Sequence, residues 1–263
     1  MLFDDKIVCP AHTAAFSIIS GNPEAAPGLD GIPTYLVIQR DGKWFVEVPE
    51  GELQQKASMP LTKRDPENNK HFVIIGGGAA GLNCAETLRQ SGFTGQVTVI
   101  TEEDLIPYDR TLISKALPNI DSRKSPLRSA EFLSQADIDF KMGSAVCGIN
   151  STARRVALLN GDVLVYDKLC IATGGKARKP KIPGANLKGV HYLRSSADQE
   201  GIKAEAIDAE SIVIVGGSFI ATECAAALAT KYKQKKIHLI QSTKFPLEKV
   251  MGKEIGAMFA KEH

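Results

Sequence analysis

Gly76-Gly77-Gly78-Ala79-Ala80-Gly81 has the spacing G-x-G-x-x-G. It follows an apolar run, Phe72-Val73-Ile74-Ile75, and opens a segment with helical periodicity. In that setting each glycine has a task. Gly76 permits a tight turn, Gly78 lacks the Cβ that would block a pyrophosphate, and Gly81 lets helix and strand approach closely. The helix start offers unpaired N–H groups to phosphate. A ribose needs an acid at the end of the next strand, about 20 residues on. Glu102, after Val97-Thr98-Val99-Ile100-Thr101, answers to it, and Glu103 or Asp104 could substitute. The bland alternative is a glycine-rich strand turn beside an exposed acid.

Three further groups of residues could take part. In Pro107-Tyr108-Asp109-Arg110-Thr111-Leu112-Ile113-Ser114-Lys115, Arg110 and Lys115 could pair with pyrophosphate or a reduced flavin. They could equally be ordinary surface charges. Ala172-Thr173-Gly174-Gly175 ends a buried strand, where small residues let backbone pass close to a cofactor, and Arg178 follows. A second glycine run, Gly216-Gly217-Ser218-Phe219-Ile220-Ala221, repeats the first at an offset of 140 residues (76 to 216). Duplication of the unit implies two nucleotides. Ser218 adds a Cβ where space is short, which weakens binding there. The acid expected after Ile237-His238-Leu239-Ile240 is Gln241, an amide without charge assistance, and Lys244 is nearby. NADPH therefore stays open beside NADH.

The elements that must position these residues alternate. Strands are expected at His71–Ile75, Gln96–Ile100, Arg155–Leu159, Val163–Tyr166 and 168–172, with a helix over Ala79–Gln90. Such alternation predicts a parallel α/β sheet. The expected division is 1–55, a small β region with a hairpin at Asp41-Gly42; 56–70, a linker; 71–195, the first nucleotide unit; and 196–263, the second, cut short at His263.

With 263 residues the chain has room for roughly two domains. Hydrophobic residues make up 43% and charged residues 24%, which supports packed cores. The net charge of +2 argues against a nucleic-acid surface, and no apolar run approaches a membrane span. The basic run 231–236 sits where a helix should end, and cations there favour the helix C-terminus. Five scattered cysteines fit a reducing, intracellular setting, cytoplasmic or mitochondrial, and no targeting segment opens the chain. His71, His191, His238 and His263 show no metal spacing.

IIGGGAAGLNCAETL, ITEEDLIPYDRTLISK, YDKLCIATGGKAR and IVIVGGSFIATECA occur in the order of the pyridine nucleotide–disulfide reductase superfamily, over about residues 70–263. The PYDR…LISK block resembles the apoptosis-inducing-factor and ferredoxin-reductase branch. That resemblance implies an α/β fold with two Rossmann-like units of the three-layer ββα kind, FAD in the first and NAD(P)H in the second. It implies that Gly76, Gly78, Ala80 and Gly81 cradle the FAD pyrophosphate and Glu102 its ribose. Arg110, Lys115, Thr173, Gly174, Arg178 and the backbone near Val146 would contact FAD, and Glu223 would pair with Lys115 near the flavin. Gly216, Gly217, Ser218, Phe219, Ile220 and Gln241 would serve the nicotinamide nucleotide.

Cys9-Pro10-Ala11-His12, followed by Phe16, Gly21 and Pro27-Gly28-Leu29, resembles the second half of a Rieske iron–sulfur domain. Such a centre needs two Cys and two His. A [2Fe-2S] cluster on Cys9 and His12 is implied only if the missing Cys-x-His half is present. Thr13 stands where that family has Gly. Together these features resemble Rieske-containing apoptosis-inducing-factor-like proteins.

The expected reaction is hydride transfer from NAD(P)H to FAD, with electrons passed on to an iron–sulfur or other acceptor. A homodimer is possible for the full-length protein. The alternative is a truncated nucleotide-binding remnant without turnover. A disulfide reductase would need a cysteine pair a few residues apart, which is absent. Cys84 and Cys224 are expected to pack as small apolar groups.

Overall fold

The computed structural model describes residues 1–48, 59–119, 121 and 124–262. The chain divides into two compact units, residues 1–63 with 88–93, and residues 64–87 with 94–263.

The first unit carries two antiparallel sheets. In one, β1 (Leu2–Phe3), β2 (Lys6–Val8), β3 (Ala15–Ser17) and β4 (Pro23–Ala25) pair in that order. In the other, β5 (Leu36–Arg40) and β6 (Lys43–Glu47) form the hairpin expected at Asp41-Gly42. Both turn residues have positive φ, 51° and 71°, which a two-residue type I′ turn demands and Asp-Gly supplies. The end of the expected β region and the start of the expected linker fall on residues 49–58, which lie outside the described residues. Residues 59–70 hold no helix or strand.

β7 (His71–Ile75) and β8 (Gln96–Ile100) of the second unit, and α1 (Ala79–Gln90), whose residues 79–87 belong to it, occupy the spans expected from the sequence. The short helices α2 (Leu112–Lys115) and α3 (Ala130–Gln135) precede β9 (Ile138–Lys141). An antiparallel meander follows, β10 (Val146–Asn150), β11 (Arg155–Leu158) and β12 (Val163–Val165), and then β13 (Lys168–Ile171). β13-β7-β8-β9 form a parallel sheet in which Ile171, Ile75, Ile100 and Lys141 stand level.

Side-chain alternation along β7 decides what covers each face. Val73 and Ile75 pack with Ile100 against Val156, Leu158, Leu164 and Tyr166 of the meander region. Ile74 points to the other face, where α1 passes: a Cβ added to Gly81 would lie 3.4 Å from Ile74 Cγ2. The sheet is thus sandwiched between meander and helix, and each aliphatic side chain buried there contributes about 1.5–3 kcal/mol.

The rest of this unit comprises α4 (Ser196–Asp208), β14 (Ser211–Val215), α5 (Phe219–Lys231), β15 (Lys236–Ile240), α6 (Glu248–Met251) and α7 (Lys253–Glu262). Ser195 and Asp198 form a capping box that fixes the start of α4. β14 and β15 pair in parallel, with Val215 opposite Ile240. Leu117, Ala206, Cys224 and Leu228 form a buried core beneath them. Among the described residues no helix is long and apolar enough to cross a membrane.

The sequence repeat is a structural repeat in the same register. Gly76 N–H donates to the Ile100 carbonyl at 2.8 Å, and Gly216 N–H donates to the Ile240 carbonyl at 2.8 Å. Leu82 N–H donates to Gly78 at 3.0 Å, and Thr222 N–H to Ser218 at 3.1 Å.

Candidate functional site

The first strand-to-helix corner lies between β7 and α1. Gly76 has φ +122°, and a Cβ on it would collide with the Ala172 carbonyl at the end of β13. A Cβ on Gly81 would collide with the Gly76 carbonyl. Gly78 differs, because a Cβ there would meet nothing within 4 Å. Two glycines are therefore required by the protein itself, whereas the third faces open space at the helix start. Ala80 is exposed on the first turn of α1.

The acids after β8 separate in role. Glu102 is exposed and has no hydrogen-bond partner among the described residues. Glu103 is committed within the protein: its Oε1 lies 2.5 Å from Arg110 Nη2, and its Oε2 accepts from the Tyr108 hydroxyl at 2.7 Å. Arg110 Nη1 also donates to the Arg194 carbonyl at 2.8 Å, and its guanidinium lies over the Tyr108 ring. Arg110, expected to serve phosphate or flavin, here ties the loop after β8 to the start of α4. Tyr108 completes the tie by accepting from Ser196 N–H at 2.9 Å. Burial, then the hydrogen bond to Glu103, pushes its hydroxyl up to about 12, so it remains a donor across the usual pH range.

Glu223, expected to pair with Lys115, meets Ser114 in this structure. The Ser114 hydroxyl donates to Glu223 Oε2 at 2.6 Å. Ser114 sits on the buried side of α2, packed towards α5, whereas its neighbour Lys115 is exposed. Among the described residues no ion pair joins Lys115 to Glu223.

At the end of β13, Thr173 and Gly174 are exposed, Gly174 has φ +68°, and Arg194 Nε donates to the Gly175 carbonyl at 2.8 Å. Arg178 is exposed, and Val146 is half-buried against the core of sheet and meander. The Cys84 and Cys170 thiols are neighbours, a long-range pair brought together by β13 lying beside β7. Burial first, then that contact, pushes the Cys84 thiol up to about 11, which disfavours the reactive thiolate.

The second corner lies between β14 and α5. Ser218 is the helix N-cap, and its side chain makes no capping hydrogen bond. Phe219 and Ile220 are exposed. A cleft of about 530 Å³ opens here, lined by Gly216, Gly217, Ser218, Gln241, Ser242 and Lys249 among others. Gln241 lies beneath Gly217, and its Oε1 is buried without a hydrogen-bond partner. Thr101 lies beneath Gly77 in the same manner. Because β8 and β15 align, Gln241 matches Thr101, and Ser242 matches Glu102. Ser242, one residue beyond the expected Gln241, therefore stands at the place of Glu102. Ser242 Oγ accepts from Lys249 Nζ at 3.1 Å. Sequence reasoning passed over Ser114, Ser242 and Lys249; the offset of 140 applied to Glu102 would have found Ser242.

In the first unit, Cys9 and His12 are exposed in one tight turn, closed by Thr13 N–H to the Cys9 carbonyl at 3.0 Å. Thr13 has φ +63°, a conformation that favours glycine. Among the described residues no group of three or more Cys, His, Asp or Glu could hold a metal ion.

Comparison with known proteins matches this geometry to one family. Rhodocoxin reductase of Rhodococcus erythropolis is 34% identical over 194 residues, 73% of this chain and 45% of that protein. Apoptosis-inducing factor 3 of Homo sapiens is 29% identical over 262 residues, 97% of this chain and 43% of that protein. The chain thus spans less than half the length of these relatives. The crystal structure of a ferredoxin reductase from Rhodopseudomonas palustris superposes with a TM-score of 0.69 at 28% identity, covering 74% of this chain and 48% of that one. Residues 70–263 match the family described as pyridine nucleotide-disulphide oxidoreductase, and the chain belongs to it.

Proposed function

We propose that this chain is the nucleotide-binding part of an FAD-dependent NAD(P)H oxidoreductase, built from two Rossmann-like units and preceded by a partial Rieske-like β domain. The observation that carries the reading is the repeat of one strand-to-helix corner in the same register, with open space beside Gly78 and a cleft beside Ser218. Each feature fits a dinucleotide. A Cβ at Gly78 would fill the place a pyrophosphate needs, and an orphaned acceptor, Gln241 Oε1, waits in the second cleft.

In this reading Gly76, Gly78, Ala80 and Gly81 bring backbone N–H groups to the FAD pyrophosphate, and Glu102 accepts from a ribose hydroxyl. Thr173 and Gly174 allow close backbone approach, while Arg178, Lys115 and the backbone near Val146 border the same site. Gly216, Gly217, Ser218, Phe219 and Ile220 present the amides of α5 to the nicotinamide nucleotide. Glu223, held by Ser114, fixes α5 against α2 between the two sites. Bound FAD supplies hydride acceptance from a reduced nicotinamide and return of the electrons to an acceptor. The names of the relatives, reductases of ferredoxin-type and rubredoxin partners, support an iron–sulfur protein or domain as that acceptor. Cys9 and His12 would supply half a [2Fe-2S] ligand set, completed only by a Cys-x-His elsewhere.

Anaerobic titration of the purified chain with FAD, followed by NADPH or NADH, tests this. The chain should take up FAD, and its flavin absorbance should bleach on addition of reduced nicotinamide. Failure to hold FAD, or bound FAD that neither nucleotide reduces, would overturn the proposal.

A further inference from the structure

The two corners share one register, so the residue that meets the far ribose can be compared position by position. At the first corner that position is Glu102, a carboxylate without a partner among the described residues. At the second it is Ser242, a hydroxyl in contact with an ammonium, Lys249 Nζ, at 3.1 Å. Lys249 is the charged residue lining the second cleft; its other lining residues are apolar, glycine, hydroxyl or amide. The nearest acid in sequence, Glu248, is turned to its own loop, where its Oε2 accepts from Phe245 N–H at 3.1 Å.

A carboxylate at this position accepts from a free 2′-hydroxyl and repels a 2′-phosphate, whereas a cation with neutral donors does the reverse. Serine offers an O–H donor and lysine three N–H donors. Among the described residues no carboxylate lines the cleft to oppose a dianion.

We propose that the second site selects a nicotinamide dinucleotide carrying a 2′-phosphate, NADPH over NADH, with Ser242 and Lys249 as the phosphate grip. The inference rests on the nucleotide reading of that cleft and adds which nucleotide it takes. Selection is electrostatic, so it weakens as salt rises.

Calorimetric titration of the full chain with NADP⁺ and with NAD⁺ tests it, with 2′,5′-ADP and 5′-ADP as fragment probes. NADP⁺ should bind at least about tenfold tighter, the value of one charge-assisted hydrogen bond. Lys249→Ala should remove most of that preference, and Ser242→Glu should reverse it in favour of NAD⁺. FAD uptake by the same variants shows that they are folded. Equal or tighter binding of NAD⁺ overturns the inference and leaves the nucleotide site standing. A preference that survives Lys249→Ala also overturns it. Binding of none of the four probes to protein that holds FAD overturns the nicotinamide site itself.

Discussion

The Ser114 hydroxyl and the Glu223 carboxylate meet at 2.6 Å across 109 residues of sequence. One belongs to the short helix after the first nucleotide corner, the other to the helix that opens the second. Both are largely withdrawn from solvent, so the contact fixes one corner relative to the other. Ser114→Ala leaves a carboxylate without its donor and should lower stability by about 1–3 kcal/mol. Urea unfolding reads the loss. A double-mutant cycle with Glu223→Gln should recover a coupling energy from this pair, while Lys115→Ala should change stability little.

A second buried tie holds α1. Arg128 Nε and Nη2 donate to the two carboxylate oxygens of Glu86 at 2.8 and 2.9 Å, with both side chains under one-tenth exposed. The Arg128 guanidinium also lies over Phe132. Removing one partner strands a buried charge, so Arg128→Ala should cost about 3–5 kcal/mol by chemical denaturation. The effect should exceed that of Lys70→Ala, whose ion pair with Asp167 is exposed on the lysine side.

Alkaline pH should loosen the fold through Cys224. Burial, then the charge of Glu223, pushes its thiol up to about 11 from an ordinary 9.0. Below pH 9 the thiol keeps its proton folded or unfolded, and its contribution is complete. Between 9 and 11 the unfolded chain releases the proton first, so stability falls as pH rises through that window. The urea midpoint should decline across it, and Cys224→Ala should flatten the decline even though it lowers the starting value.

Much of this architecture was legible in the residues. The runs at His71, Ala79 and Gln96 gave strand, helix and strand with matching ends, because local periodicity and glycine punctuation agree there. The hairpin at Asp41-Gly42 followed from two residues that tolerate positive φ. Side-chain partnerships were less legible. PYDR…LISK suggested cations aimed at a cofactor, yet Arg110 is held by Glu103 and the Arg194 carbonyl. That choice depends on where residue 194 returns in space, which no local pattern encodes. The Cys84–Cys170 contact arises likewise, since β13 comes to lie beside β7 only in the assembled sheet. Gln241 directly follows β15 in sequence, whereas the aligned register sets Ser242 at the place of Glu102.

The claim on which the rest depends is that Gly78 faces a ligand and not the protein. Gly78→Ala meets nothing within 4 Å, whereas Gly81→Ala collides with the Gly76 carbonyl. FAD affinity and unfolding free energy should be measured on both variants beside the parent chain. Gly78→Ala should keep the parent's stability and lose FAD affinity by at least about tenfold, while Gly81→Ala should lose stability. Unchanged FAD affinity in Gly78→Ala, or a parent chain that binds no FAD, would contradict it.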